Sequence, residues 1–319
     1  MAVLVTGVGY IGAALATSLL DDGVQVVGLE NGYCTPLAAL DPLRTSPEFT
    51  LIEGDVANPT DVARAMEAVL ALSADPPVVY HLAAQPSAAI AVRDPDYTER
   101  ANLVGARVVL QAAKEHGLTV VFGGSFRVYG DEVTGQTITE DTPYGRIGDL
   151  AHLSKLYVEQ LARTIGGLFV SVRLGVVYGL GPVIKTDPPF MTVPNVFTSR
   201  AIRGEILEVF DDRPVGFIHL EDAVQALLVA ADFAEPSDPW QVVNAVTEVV
   251  TIGQVAQHVQ RVGQAHNTFV RVNGASSEPA TFSVESRLPD SGFTQSRSMG
   301  EALGAVWDYF AAGPAEPSA

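Results

Sequence analysis

Short, mostly apolar runs punctuate the first half of this chain, at positions 2–6, 24–29, 49–52, 78–82, 120–122 and 170–173. Runs without polar alternation predict strands buried on both faces of a sheet. Between them, apolar residues recur at helical spacing over 12–22, from 59 to about 72, over about 97–115 and over 150–165. Asn58-Pro59-Thr60-Asp61 reads as a helix start. Asn58 is placed to cap, Pro59 suits the first helical position, and Asp61 lies in the positive first turn. Strands alternating with helices predict an α/β fold with a parallel sheet wound on both sides, and right-handed crossovers make it a Rossmann-type sheet. After Tyr178 the rhythm breaks, with Gly179, Gly181, Pro182, Pro188, Pro189 and Pro194 close together. This predicts a smaller, interleaved C-terminal region covering the strand ends, where doubly wound sheets bind ligands.

The junction of the first strand and first helix carries chemistry. Gly7-Val8-Gly9-Tyr10-Ile11-Gly12 is G-x-G-x-x-G in the strand–turn–helix context that a dinucleotide site requires. Gly7 suits a tight turn, Gly9 a close approach of backbone to pyrophosphate, and Gly12 close packing of helix on strand. The amides from Tyr10 and Ile11 onward open the helix and offer unpaired donors to an anion. Glu30, followed by Asn31, ends the second apolar run, 18 residues past Gly12, where an acid accepts both ribose hydroxyls. No Arg follows closely, so NAD is expected rather than NADP. The expected division is a dinucleotide domain over 1–178 with about 214–250, a substrate region over about 179–213 and 251–312, and a frayed tail at 313–319.

Composition narrows the partners. The 319 residues carry 19 Lys+Arg against 37 Asp+Glu, a net charge of −18, with 47% hydrophobic residues. That content excludes general disorder. The charge argues against nucleic acid and against anionic membrane, leaving a small-molecule substrate as the expected partner. Cys34 is the one cysteine, so no internal disulfide can form, and the six His lack ligand spacing, so no metal is expected. The first residues read as a strand rather than a basic leader, and no apolar run reaches the ~18 residues of a membrane span. A cytoplasmic protein is expected. Only three of the 19 cationic residues are lysines: Lys114, Lys155 and Lys185.

Further segments resemble the extended short-chain dehydrogenase/reductases, in the NAD-dependent epimerase/dehydratase branch that acts on nucleotide sugars. The resemblance runs over nearly the whole chain. Gly54-Asp55-Val56 is similar to the adenine-contacting turn after the third strand. Val79-Tyr80-His81-Leu82-Ala83-Ala84-Gln85 is similar to the fourth strand, which implies cofactor contacts from Leu82, Ala83 and Ala84 and a substrate contact from Gln85. Asn102 matches an Asn of the next helix. Ser125-Phe126-Arg127-Val128-Tyr129-Gly130 resembles S-x-x-V-Y-G and implies that Ser125 is the active-site serine. Residues 173–179 resemble R-x-x-N-V-Y-G, and 217–222 resemble D-F-I-H-V-x-D. Lys155 matches the lysine of Y-x-x-x-K, which implies that it binds the nicotinamide ribose.

The departures are as informative. The glycine loop is one residue shorter than the family's. Ala151 stands where the tyrosine acid/base belongs, and Val176 where the Asn of N-V-Y-G belongs. Val215 and Val272-Asn273-Gly274-Ala275 replace the segments whose arginines grip a nucleotide diphosphate. A replacement acid/base is therefore needed. His152 comes first, since residues 151 and 152 flank position 155 at about 40° and 60° in helical projection, and imidazole titrates near neutrality. Tyr144 comes second, while Tyr178 and His81 match structural positions. Arg213, and beyond it Arg271 and Arg287, are open as substitute anion ligands. The resemblance implies hydride transfer at a secondary hydroxyl or ketone of a sugar or nucleotide-sugar-like substrate, by epimerase, dehydratase or ketoreductase chemistry. An NAD-binding pseudoenzyme, or a dehydrogenase of some other substrate, remains open. It also implies a homodimer through the helices at about 97–115 and 150–165, with Val104, Val108, Leu156, Val158 and Leu161 supplying apolar surface.

Overall fold

The computed structural model describes residues 1–130, 133, 135–185, 188–274 and 282–313. Seven parallel strands form the large sheet. They are Ala2–Thr6 (β1), Gln25–Glu30 (β2), Phe49–Glu53 (β3), Val78–His81 (β4), Thr119–Ser125 (β5), Phe169–Leu174 (β6) and, after two strands considered below, Trp240–Ala245. Spatially β6 lies between Trp240–Ala245 and β5, followed by β4, β1, β2 and β3. The chain builds outward from β1 through β2 to β3, then restarts on the other side with β4. The loops after β1 and β4 therefore diverge, and the crevice between them is the switch point at which such sheets bind ligands. Register fixes its floor, because Thr6 stands level with Leu29 on one side and His81 on the other.

Both faces of the sheet are covered, as its mostly apolar strands require. Tyr10–Asp21 (α1) and Leu220–Ala230 pack on one face, burying Leu15, Leu19, Leu220 and Leu227 against Val3, Val5 and Val170. Pro59–Leu70 (α2), Gly105–Glu115 (α3) and Leu150–Ile165 (α4) cover the other, burying Val62, Met66, Val109 and Val158 against Leu4, Val79 and Phe122. The Asn58 side chain accepts from the Thr60 N–H at 3.0 Å, as its sequence position predicts. The helical stretch at 97–115 is not uniform. Residues Pro95–Glu99 are α-helical, Arg100–Val104 form a π-turn, and α3 follows. Such bulges re-aim side chains, and this one turns Asn102 toward Gln85 and Ser154.

At Gly175 the chain leaves the large sheet. Val176–Tyr178 (β7) pairs in parallel with Pro214–His219 (β8), which pairs antiparallel with Glu248–Thr251 (β10, with Trp240–Ala245 as β9). Val193–Ile202 (α5), Ile252–Ala265 (α7) and Met299–Ala312 (α8) pack around this small sheet, with Leu220–Ala230 as α6. Their core holds Tyr178, Phe197, Phe217, Val259, Leu303 and Trp307. β8 thus belongs to the small sheet, while α6 and β9 return to the large one, so the two regions interleave. The apolar runs did not announce β9, since Trp240-Gln241-Val242-Val243-Asn244-Ala245 mixes polar and apolar residues. Asn244 is consumed in buried hydrogen bonds, accepting from the Tyr129 hydroxyl at 2.7 Å. No helix among the described residues is long and apolar enough to cross a membrane. The tail expected to fray at 313–319 falls, past Gly313, outside the described residues.

Candidate active site

The glycine loop is built by steric necessity. Gly7 has φ = 81°, a left-handed conformation that glycine adopts without strain, and a Cβ there would collide with the backbone of Ala83. A Cβ on Gly12 would strike the Gly7 carbonyl oxygen. These two glycines let α1 start tight against β1 and β4, leaving its first amides facing the cleft. Glu30 closes the next strand. Its Oε1 accepts from the Asn31 and Gly32 N–H groups at 3.1 and 3.0 Å. Burial raises its pKa, while these backbone amides act in the opposite direction. Val56, Leu82, Ala83 and Ala84 line the same cleft with Gly7, Gly9, Tyr10, Ile11, Gly12, Glu30 and Asn31. Flat apolar walls, an acid at the second strand end and a helix N-terminus are the donor set and shape that a dinucleotide needs. NAD is the cofactor that this cleft fits.

The far end of the cleft gathers the reactive groups. Ser125 ends β5, and its Oγ accepts from the Arg127 N–H at 3.2 Å. Lys155, on α4, donates from Nζ to the Gly123 carbonyl at 2.7 Å and lies 4.7 Å from the Phe122 ring centre. Burial, then the charge of Lys185, lowers its pKa to about 8. Ala151 and His152 line the cleft beside Ser125 and Lys155. Asp149, the N-cap of α4, holds His152 twice. Its Oδ1 accepts the His152 backbone N–H at 3.0 Å, and its Oδ2 lies 2.7 Å from His152 Nδ1. Burial opposes the charge on Asp149, yet the hydrogen bonds from His152 prevail and hold its pKa below the ordinary value. With Nδ1 engaged by a carboxylate, Nε2 is the nitrogen left to exchange a proton.

Several expected residues lie elsewhere. The Tyr144 hydroxyl donates to Glu159 Oε2 at 2.9 Å and accepts from Arg173 and Gln160. It braces the buried Glu159–Arg173 ion pair, one helical turn beyond Lys155, and does not line the cleft, so it is not placed for proton transfer there. Gln85 is 1% exposed, and its amide is spent on Thr98 and on the Ser87 N–H, so it does not face a substrate. Asn102 holds the Gln85 backbone and Ser154, a supporting position behind the cleft rather than a cofactor contact. The Asp55 carboxylate caps the Ala57 N–H at 2.8 Å and pairs with Arg100 at 2.7 Å instead of lining the cleft. Arg213 pairs with Asp211 at 3.0 Å outside the cleft. Arg271 donates to the Gly204 carbonyl, and Arg287 pairs with Asp141, so neither replaces a substrate ligand. Ala275 lies outside the described residues. His81 is buried against the Thr6 hydroxyl at 2.7 Å, and burial followed by the charge of Lys155 lowers its pKa to about 3.

The residues missed from sequence are Asp149, Lys185, Cys34, Thr35 and Tyr97. Asp149 had a legible signal, a capping acid three residues before a histidine. Lys185 had none beyond its rarity.

Comparison with known proteins agrees with this geometry. Residues 3–273 match the NAD dependent epimerase/dehydratase family. The chain belongs to this family. A UDP-glucose 4-epimerase of Mycolicibacterium smegmatis is 34% identical over 291 residues, covering 88% of this chain and 85% of that one. A trifunctional UDP-glucose 4,6-dehydratase/UDP-4-keto-6-deoxy-D-glucose 3,5-epimerase/UDP-4-keto-L-rhamnose-reductase of Arabidopsis thaliana is 27% identical over 89% of this chain. The chain spans only 41% of that enzyme's length. The crystal structure of a Thermus thermophilus UDP-glucose 4-epimerase with NAD superposes with a TM-score of 0.79 at 24% identity, covering 98% of this chain and all of that one. Membership accounts for the dinucleotide cradle of this family chain, and NAD is the cofactor that goes with it.

Proposed function

We propose that this epimerase/dehydratase-family chain transfers hydride at a secondary hydroxyl or ketone of a sugar or nucleotide-sugar-like substrate, with His152 in place of the tyrosine that Ala151 lacks. One observation carries the proposal. His152, held by Asp149, lines the same cleft as Ser125 and Lys155, one residue from the position that has no proton to give. NAD, when bound, supplies the hydride acceptor. Lys155 holds the ribose next to the reacting carbon, and Ser125 donates to the reacting oxygen. His152 Nε2 takes the hydroxyl proton as the carbonyl forms and returns it on reduction, with Asp149 stabilising the imidazolium. Epimerisation, dehydration and ketone reduction all begin or end with this step.

The test uses UDP-glucose, UDP-glucuronic acid and free sugars, following the band of reduced nicotinamide. Lys155→Ala abolishes turnover, and His152→Ala lowers it by ~10²-fold or more. An unchanged rate and pH profile in His152→Ala would remove the histidine from the mechanism. Tight NAD binding without turnover across the panel would make the chain an NAD-binding pseudoenzyme instead.

We also propose a homodimer through the exposed faces of the helical stretch at about 97–115 and of α4. The support is apolar surface that nothing within the subunit covers, at Val104 (37% exposed), Leu153 (45%) and Tyr157 (39%). Val108 and Val158, expected to contribute, are instead buried in the subunit's own core.

A further inference from the structure

We propose that Lys185 binds the pyrophosphate of the dinucleotide, reaching across the cleft from the segment that follows β7. The inference rests on the dinucleotide reading of the cleft and adds a ligand from the smaller lobe. Two lysines line the cleft among the described residues, Lys155 and Lys185. Lys155 donates to the Gly123 carbonyl and is the lysine already assigned to the ribose. Lys185 has no hydrogen bond or ion pair among the described residues. Its Nζ lies 5.3 Å from the ring centre of Tyr10. Tyr10 is the first residue of α1 and directly follows Gly9, so Lys185 stands beside the helix start that faces the anion.

The surroundings hold the lysine there. The Tyr10 hydroxyl donates to the Gly179 carbonyl at 2.8 Å. Asn195 donates to the same carbonyl at 3.0 Å and accepts from the Gly179 N–H at 3.2 Å. The start of the segment is thus pinned to both α1 and α5. On the opposite wall are Cys34 and Thr35, from the loop after Glu30. Burial pushes the Cys34 thiol up to about 11 despite the opposing charge of Lys185, so this neighbour supplies no anion near neutral pH. Glu30, the one carboxylate lining the cleft among the described residues, is engaged by backbone amides. Enclosing an ammonium without a counter-ion is costly. Here the missing counter-charge coincides with the N-terminus of a 12-residue helix, whose dipole and open amides favour the same anion. The contact is to the cofactor helix, not to Ser125 or His152, which favours the cofactor's pyrophosphate over a diphosphate on the substrate.

Titration calorimetry on the full chain, with any co-purified NAD exchanged out, tests the assignment. ADP-ribose, adenosine and UDP are the probes, and NAD-loaded protein is used for UDP. Lys185→Met weakens ADP-ribose roughly ten- to hundredfold, as for loss of a charge-assisted hydrogen bond. Lys185→Arg stays within a few-fold of wild type, and adenosine and UDP are unaffected. Lys185→Gln replaces the Met variant if that one fails to fold. Equal ADP-ribose affinity in wild type and variant would overturn the Lys185 assignment alone, and a loss confined to UDP would move the lysine to the substrate. No ADP-ribose binding by wild type would overturn the dinucleotide reading itself.

Discussion

Lys155 is the residue at which burial and chemistry meet. The family resemblance assigns it to the ribose, and the structure adds its environment: a backbone carbonyl, an aromatic face and a second lysine. Its folded-state pKa lies near 8, below the ordinary 10.5. Between those values the unfolded chain holds more protons than the folded one. The stability this group contributes is therefore complete above about pH 10.5 and is lost as pH falls through about 8. Denaturant unfolding of the cofactor-free protein between about pH 7.5 and 9.5 is expected to show a rise that Lys155→Met removes. An identical slope in the variant would show that Lys155 is already charged in the fold. At this scale the glycine loop and Glu30 were legible because backbone sterics and local sequence fix them, while Ser125 and Lys155 were legible only through the family resemblance. Tyr144, Gln85 and Arg213 were not, because a side chain's partners come from distant segments.

The helix α4, with its N-cap Asp149, gathers Ala151, His152, Lys155 and Glu159, and successive turns have separate tasks. The first turns present His152 and Lys155 to the cleft. One turn further along the same face, Glu159 is buried against Arg173 at 2.9 Å, with both side chains at most 2% exposed. Its start joins structure to function, since Asp149 both caps the helix and holds His152. Asp149→Asn keeps a good cap but removes the charge, so stability is expected to stay within a few tenths of a kcal/mol while the acid limb of the activity profile moves. Asp149→Ala loses both and is expected to cost about 1 kcal/mol of unfolding free energy. Calorimetric melting together with a pH–rate profile separates the two. Equal profiles in wild type and Asp149→Asn would leave Asp149 only its capping role. The helix bounds at 150–165 were fully legible from apolar spacing. The π-turn at Arg100–Val104 was not, because a periodic apolar pattern does not distinguish one inserted residue from continuing α-helix.

At the scale of the whole molecule, the proposed homodimer rests on the exposed apolar residues Val104, Leu153 and Tyr157. Leu153→Glu with Tyr157→Glu is expected to shift the light-scattering mass at micromolar concentration from dimer to monomer, with the melting profile of the subunit retained. A monomeric wild type would refute the dimer. The parallel sheet, its two covered faces and the dinucleotide turn were determined by the sequence itself. Strand burial, helical period and the steric demands of Gly7 and Gly12 act over a few residues and leave a local record. The placement of β8 in the small sheet, the return of β9 to the large one and the approach of Lys185 to Tyr10 were decided by tertiary structure alone. They join segments up to about 175 residues apart, and such contacts depend on how packed layers bring distant side chains together, which no local pattern encodes.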